Sequence, residues 1–220
     1  KASTATRTPR AARRSSSGDM FHYVPLDSYD WFMGEVGDSE PVIATVRLDL
    51  HHISATDLVT LFKTPGDPAL FHDKPYTNPH RVLMDSSGPL RWRVPQVQAD
   101  PLVNRWFVRW MVERSTGVIL GSLSFHGPPD DEGMVEIGLE VHSAFRRQGF
   151  GREALLGMWL WVVNQPGVKK LRYTVDPNNT ASVALVQQFG FTNVGQQIDE
   201  EDGPEDIYEL SAANFRKKYG

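Results

Sequence analysis

The 220-residue chain has no cysteine. That excludes disulfides, thiolate metal ligands and a cysteine nucleophile. No apolar run in it approaches the roughly 20 residues that a membrane-crossing helix requires. His51, His52, His72, His80, His126 and His142 never fall into an HExxH-type spacing. No metal centre is therefore expected, and these rings read as structural or surface groups. Positive charge is not in surplus, since the net charge is -4. A dedicated nucleic-acid binder carries a basic excess, so neither nucleic acid nor a membrane is an expected partner. What remains is a chain long enough for one domain with a full core, of ordinary globular composition. The expected setting is cytoplasmic, as a monomer or homodimer.

Acids are missing from one stretch. Residues 1–19, KASTATRTPRAARRSSSGD, have none before Asp19. Such a segment buries too little apolar surface to fold and reads as a disordered basic tail. The same composition fits an organellar transit peptide, but Pro9 interrupts the amphipathic helix that would need. The sequence does not open on Met, and Met20 is an alternative start. Residues 20–41 carry aromatics and glycine without a clear period and read as an irregular N-terminal extension.

From there the pattern becomes regular. VIATVRLDL (42–50) reads as a strand. ISATDLVTLF (53–62) reads as a helix capped by Ser54 or Thr56, with Asp57 in its first turn. Residues 64–81 are dense in Pro and Gly and read as loop, as does the region holding Pro95 and Pro101. WFVRWMVE (106–113) and VILGSLSFHG (118–127) form a predicted hairpin about Thr116-Gly117. MVEIGLEVH (134–142) alternates: Val135, Ile137, Leu139 and Val141 face one way, Glu136, Gly138 and Glu140 the other. A helix over 152–164, a strand over 169–177 and a helix over 181–190 follow. Residues 191–198 and 206–211 close as an antiparallel pair around the acidic loop 199–206, with 213–220 as a tail. Arg91-Trp92-Arg93 and Trp106–Trp110 interleave basic and aromatic residues, which suits strand packing better than stacking on bases. The order of elements predicts an α/β (α+β) domain over 42–212 with a central mixed sheet.

The chemistry concentrates in VHSAFRRQGFGREALL (141–156). The first turn of a helix has N–H groups without partners, and the peptide dipoles add partial positive charge there. Gly149 and Gly151 let a ligand approach the backbone and tolerate positive φ. Arg146 and Arg147 add forked donors for phosphate oxygens. The stretch reads as a diphosphate cradle, or else as a flexible basic loop before a helix. A dinucleotide-binding turn is the rival. It needs Gly where Arg146 stands, and although Asp176 lies near the place of the expected acid, the preceding hairpin does not fit a βαβ unit.

These residues resemble the GCN5-related N-acetyltransferases (GNAT family). Arg146-x-x-Gly149-x-Gly151 is similar to that family's acyl-CoA loop. Asn179-Thr180-Ala181-Ser182, Leu185 and Phe189-Gly190-Phe191 are similar to its second conserved block. TVRLDLHHISATD (45–57) resembles the opening of the RimJ/RimL-like branch. The resemblance implies a GNAT-like, mostly antiparallel sheet flanked by helices. In it the strand ending at Val141 bulges away from the next strand, and the splayed gap holds the pantetheine arm of acetyl-CoA. It further implies main-chain contacts from Leu139, Glu140 and Val141, and a diphosphate held by Arg146, Arg147, Gln148, Gly149, Phe150, Gly151 and Arg152. Asn179 approaches the pantetheine from the other side.

The implied reaction is attack of an amine on the acetyl thioester, with acetyl-CoA as co-substrate and no metal. Glu136 is the first candidate for the base, against the ordinary reading of a solvent-facing strand glutamate. A tyrosine that many family members use to protonate the thiolate is replaced here by Val186. Ser182 is the candidate substitute and Tyr208 a further one. The ordinary alternatives are a helix-start hydroxyl and a packed sheet tyrosine. The acceptor is a small-molecule amine or a protein N-terminus. The alternative from another class is a non-catalytic module that binds acyl-CoA or another protein on the same fold.

Overall fold

Gly133 starts the architecture that matters most. In the computed structural model, which describes residues 40–85, 88–200 and 203–220, its carbonyl accepts the N–H groups of both Lys169 (2.8 Å) and Lys170 (3.0 Å). Its φ is +80°, and a Cβ there would meet the Gly167 carbonyl oxygen at 2.4 Å, so only glycine fits. This pins strand β5 (Met134–Val141) beside β6 (Lys170–Val175) in a parallel pair. The other strands are β1 (Ile43–Ala44), β2 (Leu48–His52), β3 (Arg109–Glu113), β4 (Val118–Phe125), β7 (Thr192–Asp199) and β8 (Gly203–Ser211). The eight strands form one sheet in the order β1-β2-β3-β4-β5-β6-β8-β7. Every pairing between these strands but β5–β6 is antiparallel.

Alternation divides the sheet into two faces. Val135, Ile137, Leu171, Tyr173 and Val175 are buried on one face, where helices α3 (Phe150–Val162) and α4 (Thr180–Phe189) pack. Helix α3 buries Ala154, Leu155, Met158, Trp159 and Val162. Burying each such large apolar side chain contributes about 1.5–3 kcal/mol. Gly157 brings this helix against the first hairpin, where a Cβ would lie 2.8 Å from Thr45 Cγ2. The two tryptophans of α3 divide as their spacing requires: Trp159 is fully buried, and Trp161 stacks edge-on against Trp106 at 5.6 Å. Helix α1 (Ala55–Lys63) is capped by Ser54, whose hydroxyl accepts the Asp57 N–H at 3.0 Å.

Four expectations change. Residues 42–50 are not one strand but a tight hairpin: Thr45 N–H donates to Leu48 O at 2.8 Å, and β1 folds back on β2. The region holding Pro95 is not loop but helix α2 (Leu90–Ala99), so Arg91-Trp92-Arg93 is helical too. Leu90, Val94 and Val97 recur at i, i+4 and i+7 and are buried, while Pro95 faces out. That burial outweighs the roughly 3 kcal/mol that an interior proline costs. Residues 101–106 form a 3₁₀ turn, so the strand expected from Trp106 begins only at Arg109. At the other end, 213–220 is no tail: α5 (Ala212–Tyr219) is capped by Ser211 and anchored by the fully buried Phe215. The expectations for 1–19 and for nearly all of 20–41 lie outside the described residues. None of the described helices is long and apolar enough to cross a membrane.

Candidate active site

The pairing of β5 with β6 covers only Met134–Lys170, Val135–Leu171 and Glu136–Arg172. Beyond it, β5 continues beside β4 and β6 continues beside β8, so the two strands part. The ladder with β4 runs without a register shift as far as Gly121–Val141. The expected bulge in β5 is therefore absent, and the gap opens because the β5–β6 pairing stops. Main-chain direction follows from parity. Glu136 O accepts the His126 N–H, and the His142 N–H donates to Leu120 O, so even-numbered residues of β5 bond β4. Leu139 and Val141 consequently turn their main-chain groups into the gap. The Val141 carbonyl is taken by Arg146 Nε at 2.8 Å. Glu140, the even residue between them, spends its main chain on β4 and leaves its side chain 3.8 Å from Arg146.

The mouth of the gap leads to the glycine loop. A 3₁₀ turn, Ser143–Phe145, delivers the chain to Arg146. Arg147 at φ +61° and Gly149 at φ +83° then curl the backbone. A non-glycine residue in that region costs on the order of 1 kcal/mol, and such strain clusters at ligand clamps. Among the described residues, no protein acceptor takes the N–H groups of Arg147, Gln148, Gly149, Phe150, Gly151 or Arg152. Arg146 through Gly149 and Arg152 are exposed. The open N-terminus of a 13-residue helix therefore faces outward, which suits an anion.

Arg47 reinforces the loop. Its Nη1 donates to Gln148 O at 3.1 Å, its Nε to Glu153 Oε2 at 2.8 Å, and its guanidinium lies 4.2 Å from the Phe150 ring centroid. Glu153 also accepts the Thr45 hydroxyl at 2.6 Å and the Arg47 N–H. Burial pushes the Glu153 carboxyl up, but these hydrogen bonds together hold it below its ordinary value.

On the face opposite α3 lies a cavity of about 1010 Å³, lined among others by Trp92, Gln96, His126, Glu136, Thr174 and Gln197. Glu136 stands at the apex, the last residue of β5 paired with β6. Its Oε1 accepts Thr174 Oγ1 at 2.6 Å and lies 3.5 Å from His126 Nδ1. The His126 side chain keeps nearly half its surface open, 46%, because it faces the cavity. Crowding on its other sides lowers its pKa; Glu136 opposes the shift and Arg93 adds to it. Arg93 is buried, its Nε finds no protein partner, and its pKa is pushed down to about 10.

Ser182 and Tyr208 sit elsewhere. Ser182 is half-buried at the start of α4, and its N–H donates to Asn179 Oδ1 at 3.2 Å. Tyr173, the first residue of β6 beyond the pairing with β5, is buried, and the Ser182 hydroxyl works against the rise that burial gives its pKa. Burial raises the Tyr173 pKa, so the phenol is neutral at pH 7. Tyr208 lies opposite Tyr173 on β8, 4% exposed, with its hydroxyl 3.5 Å from Asp206 Oδ2. Parity puts both on the sheet face away from Glu136. Val186 is fully buried. Asn179 uses its oxygen as the helix cap, and its Nδ2 meets no protein acceptor among the described residues. Sequence reasoning missed Arg47, His126, Thr174 and Tyr173 as site residues. For His126 and Thr174 the signal was strand parity: a register for the β4–β5 hairpin would have put His126 beside Glu136.

The parted strand pair thus ends beside an open helix N-terminus, with backbone N–H groups unpaired among the described residues. The acetyltransferase (GNAT) domain profile matches residues 47–192, more than half of the chain, and the chain belongs to that family. Among curated sequences it is similar to the uncharacterized N-acetyltransferase YjdG of Bacillus subtilis, 29% identical over 86 residues, covering 39% of this chain and 51% of that protein. It is also similar to YoaA of the same organism, 25% identical over 156 residues, covering 70% and 85%. The chain thus spans about half the length of the first relative and most of the second. Among solved structures, the ribosomal-protein-S5-alanine acetyltransferase of Vibrio fischeri shares the fold at TM-score 0.56 and 13% identity, with 80% of this chain and 99% of that one aligned. A Vibrio cholerae structure described as a ribosomal-protein-serine acetyltransferase aligns at TM-score 0.53 and 20% identity, over 78% and 98%.

Proposed function

We propose that this chain transfers the acetyl group of acetyl-CoA to a primary amine by direct attack in a ternary complex, as an enzyme of the RimJ/RimL-like kind. One observation carries the reading: the β5–β6 pairing stops at Glu136, which lines the cavity, while past the end of β5 the amides of Arg147–Arg152 meet no protein acceptor among the described residues. The diphosphate rests on those amides, where the helix dipole contributes about 0.3–2 kcal/mol. The pantetheine arm bonds Leu139 as an added strand would, with Asn179 Nδ2 across from it. The thioester then lies near the apex, within reach of a cavity large enough for a substantial amine.

The amine must shed a proton, because α-amines have pKa values near 8 and lysine-type amines near 10.4. Glu136 is the anionic end of that proton's path. The Ser182–Tyr173 hydroxyl pair stands where β6 leaves β5 and supplies a proton to the departing thiolate, in place of the tyrosine that Val186 replaces. Tyr208, packed behind Tyr173, is a supporting residue in this reading. The acceptor is a protein N-terminus or a small amine, the setting is the cytoplasm, where acetyl-CoA is at hand, and the protein acts as a monomer or homodimer.

A second reading is favoured by the sealed Val186: a module that binds acyl-CoA without turning it over. Two measurements separate them. Calorimetric titration with acetyl-CoA tests the cradle. Thiol release over a panel of peptides and polyamines, with products read by mass spectrometry, tests transfer. Binding without release or acetylated product on any amine establishes the module instead.

A further inference from the structure

We propose that His126, not Glu136, takes the acceptor's proton directly, and that Glu136 is a positioning residue that holds the resulting imidazolium. The inference rests on the acetyl-transfer reading above and names a catalytic residue for it. Three observations carry it. First, His126 directly follows β4, its main-chain N–H donating to Glu136 O at 2.8 Å, so its side chain falls on the same sheet face as that of Glu136, the last residue of β5 paired with β6. Second, the carboxylate of Glu136 is already engaged: it accepts the Thr174 hydroxyl at 2.6 Å, and its side chain is only 15% exposed. The imidazole 3.5 Å from it, which lines the same cavity, is 46% exposed. Third, Gly138 leaves room for the ring. A Cβ there would lie 3.4 Å from His126 Nε2, so this nitrogen sits over the β5 backbone bordering the gap.

The roles of the two nitrogens follow. Nδ1 lies 3.5 Å from Glu136 Oε1, longer than a good hydrogen bond and open to shortening once the ring is charged. An Nδ1–H facing the carboxylate leaves the lone pair on Nε2, toward the gap. The amine nitrogen bonds to the thioester carbonyl carbon, its N–H proton passes to Nε2, and the C–S bond breaks. The thiolate takes a proton from the Ser182–Tyr173 pair, which is refilled from solvent. The imidazolium releases its own proton through the open cavity.

The charged groups facing His126 are Glu136 from β5 and Arg93 from α2. Arg91 of α2 and Asp199 and Glu205 of the β7–β8 hairpin line the cavity further out. Crowding and Arg93 keep the ring neutral at pH 7, as a base must be, while Glu136 limits the loss of basicity.

The test compares wild type, His126→Asn and Glu136→Gln. An amine from the peptide and polyamine panel serves as acceptor, and kcat is followed against pH with the Kd for acetyl-CoA measured in parallel. His126→Asn is expected to lower kcat about 10²–10³-fold while the acetyl-CoA Kd moves less than about twofold. Glu136→Gln is expected to lower kcat about tenfold and to keep the acid limb but move it to lower pH, since the anion that raises the histidine's pKa is gone. A Glu136→Gln profile with no acid limb overturns the proposal and makes Glu136 the direct base. So does a His126→Asn enzyme with near wild-type kcat. If His126→Asn folds poorly, the direction of the limb in Glu136→Gln decides alone. A wild type that binds acetyl-CoA but acetylates no amine refutes the transfer reading itself, a distinct outcome.

Discussion

Glu153 ties two distant stretches of sequence together at the glycine loop. Its carboxylate receives three donors from Thr45 and Arg47 with only 14% of its side chain open. Hydrogen bonds to a charged group contribute about 1.5–3 kcal/mol each, not additively. Glu153→Gln is therefore expected to destabilise the protein by about 1–3 kcal/mol at pH 7, read from urea unfolding. The pH dependence has a definite sign. The folded carboxyl titrates below its ordinary value of 4.5. Its contribution is present above pH 4.5 and is lost as pH falls through the lower folded value. The gap between wild type and Glu153→Gln should close in that window; a gap unchanged down to pH 3 would show that the clamp does not depend on the charge. Gly149→Ala tests the loop itself. At φ +83° a side chain is strained by about 1–3 kcal/mol, and acetyl-CoA affinity is expected to fall several-fold in calorimetry. The glycines were legible in sequence because their chemistry is local. Arg47 was not, because it reaches Gln148 and Glu153 across about a hundred residues, and only the turn between β1 and β2 brings it there.

Among the elements, β5 is specialised along its length. Its first residues pair with β6 and its last only with β4. Leu139 faces the gap with its main chain, so Leu139→Pro removes an N–H that no protein group uses. Acetyl-CoA affinity is expected to drop at least about tenfold, in line with loss of a well-made hydrogen bond plus misfit, while Tm changes little. A large fall in Tm would mean that the Leu139 N–H serves the fold. Helix α2 carries a different lesson. Pro95 argued for loop by the local rule, yet the i, i+4, i+7 recurrence of Leu90, Val94 and Val97 outweighed it. Pro95→Ala is expected to stabilise the protein by roughly 1–2 kcal/mol, less than the full cost of an interior proline because the unfolded chain also gains freedom. The alternating strands and the glycine-flanked helices could be read from periodicity. The hairpin hidden in 42–50 could not, since a two-residue strand leaves no period to detect.

At the scale of the molecule, one sheet serves two compartments. The face under α3 and α4 is apolar and carries the Tyr173–Ser182 pair near the gap, and the face under α2 holds Glu136, His126 and Thr174 beside the cavity. In the proposed reading, the parting of β5 and β6 is the passage between them. The order strand, loop, helix, strand revealed this much of the plan, and the resemblance in 134–192 named the ligand. The composition of the acceptor cavity was hidden, because its walls come from α2, β4, β6 and the β7–β8 hairpin, which sequence separates widely. The most direct test is an amide-resolved NMR titration with acetyl-CoA. If the backbone around Gly149 grips the diphosphate and β5 receives the pantetheine, the resonances of Arg147–Arg152 and of Leu139 will move together and saturate at one Kd, and coenzyme A lacking the acetyl group will move the same set. Saturation with these amides unmoved, and the shifts confined to another face of the sheet, would contradict it.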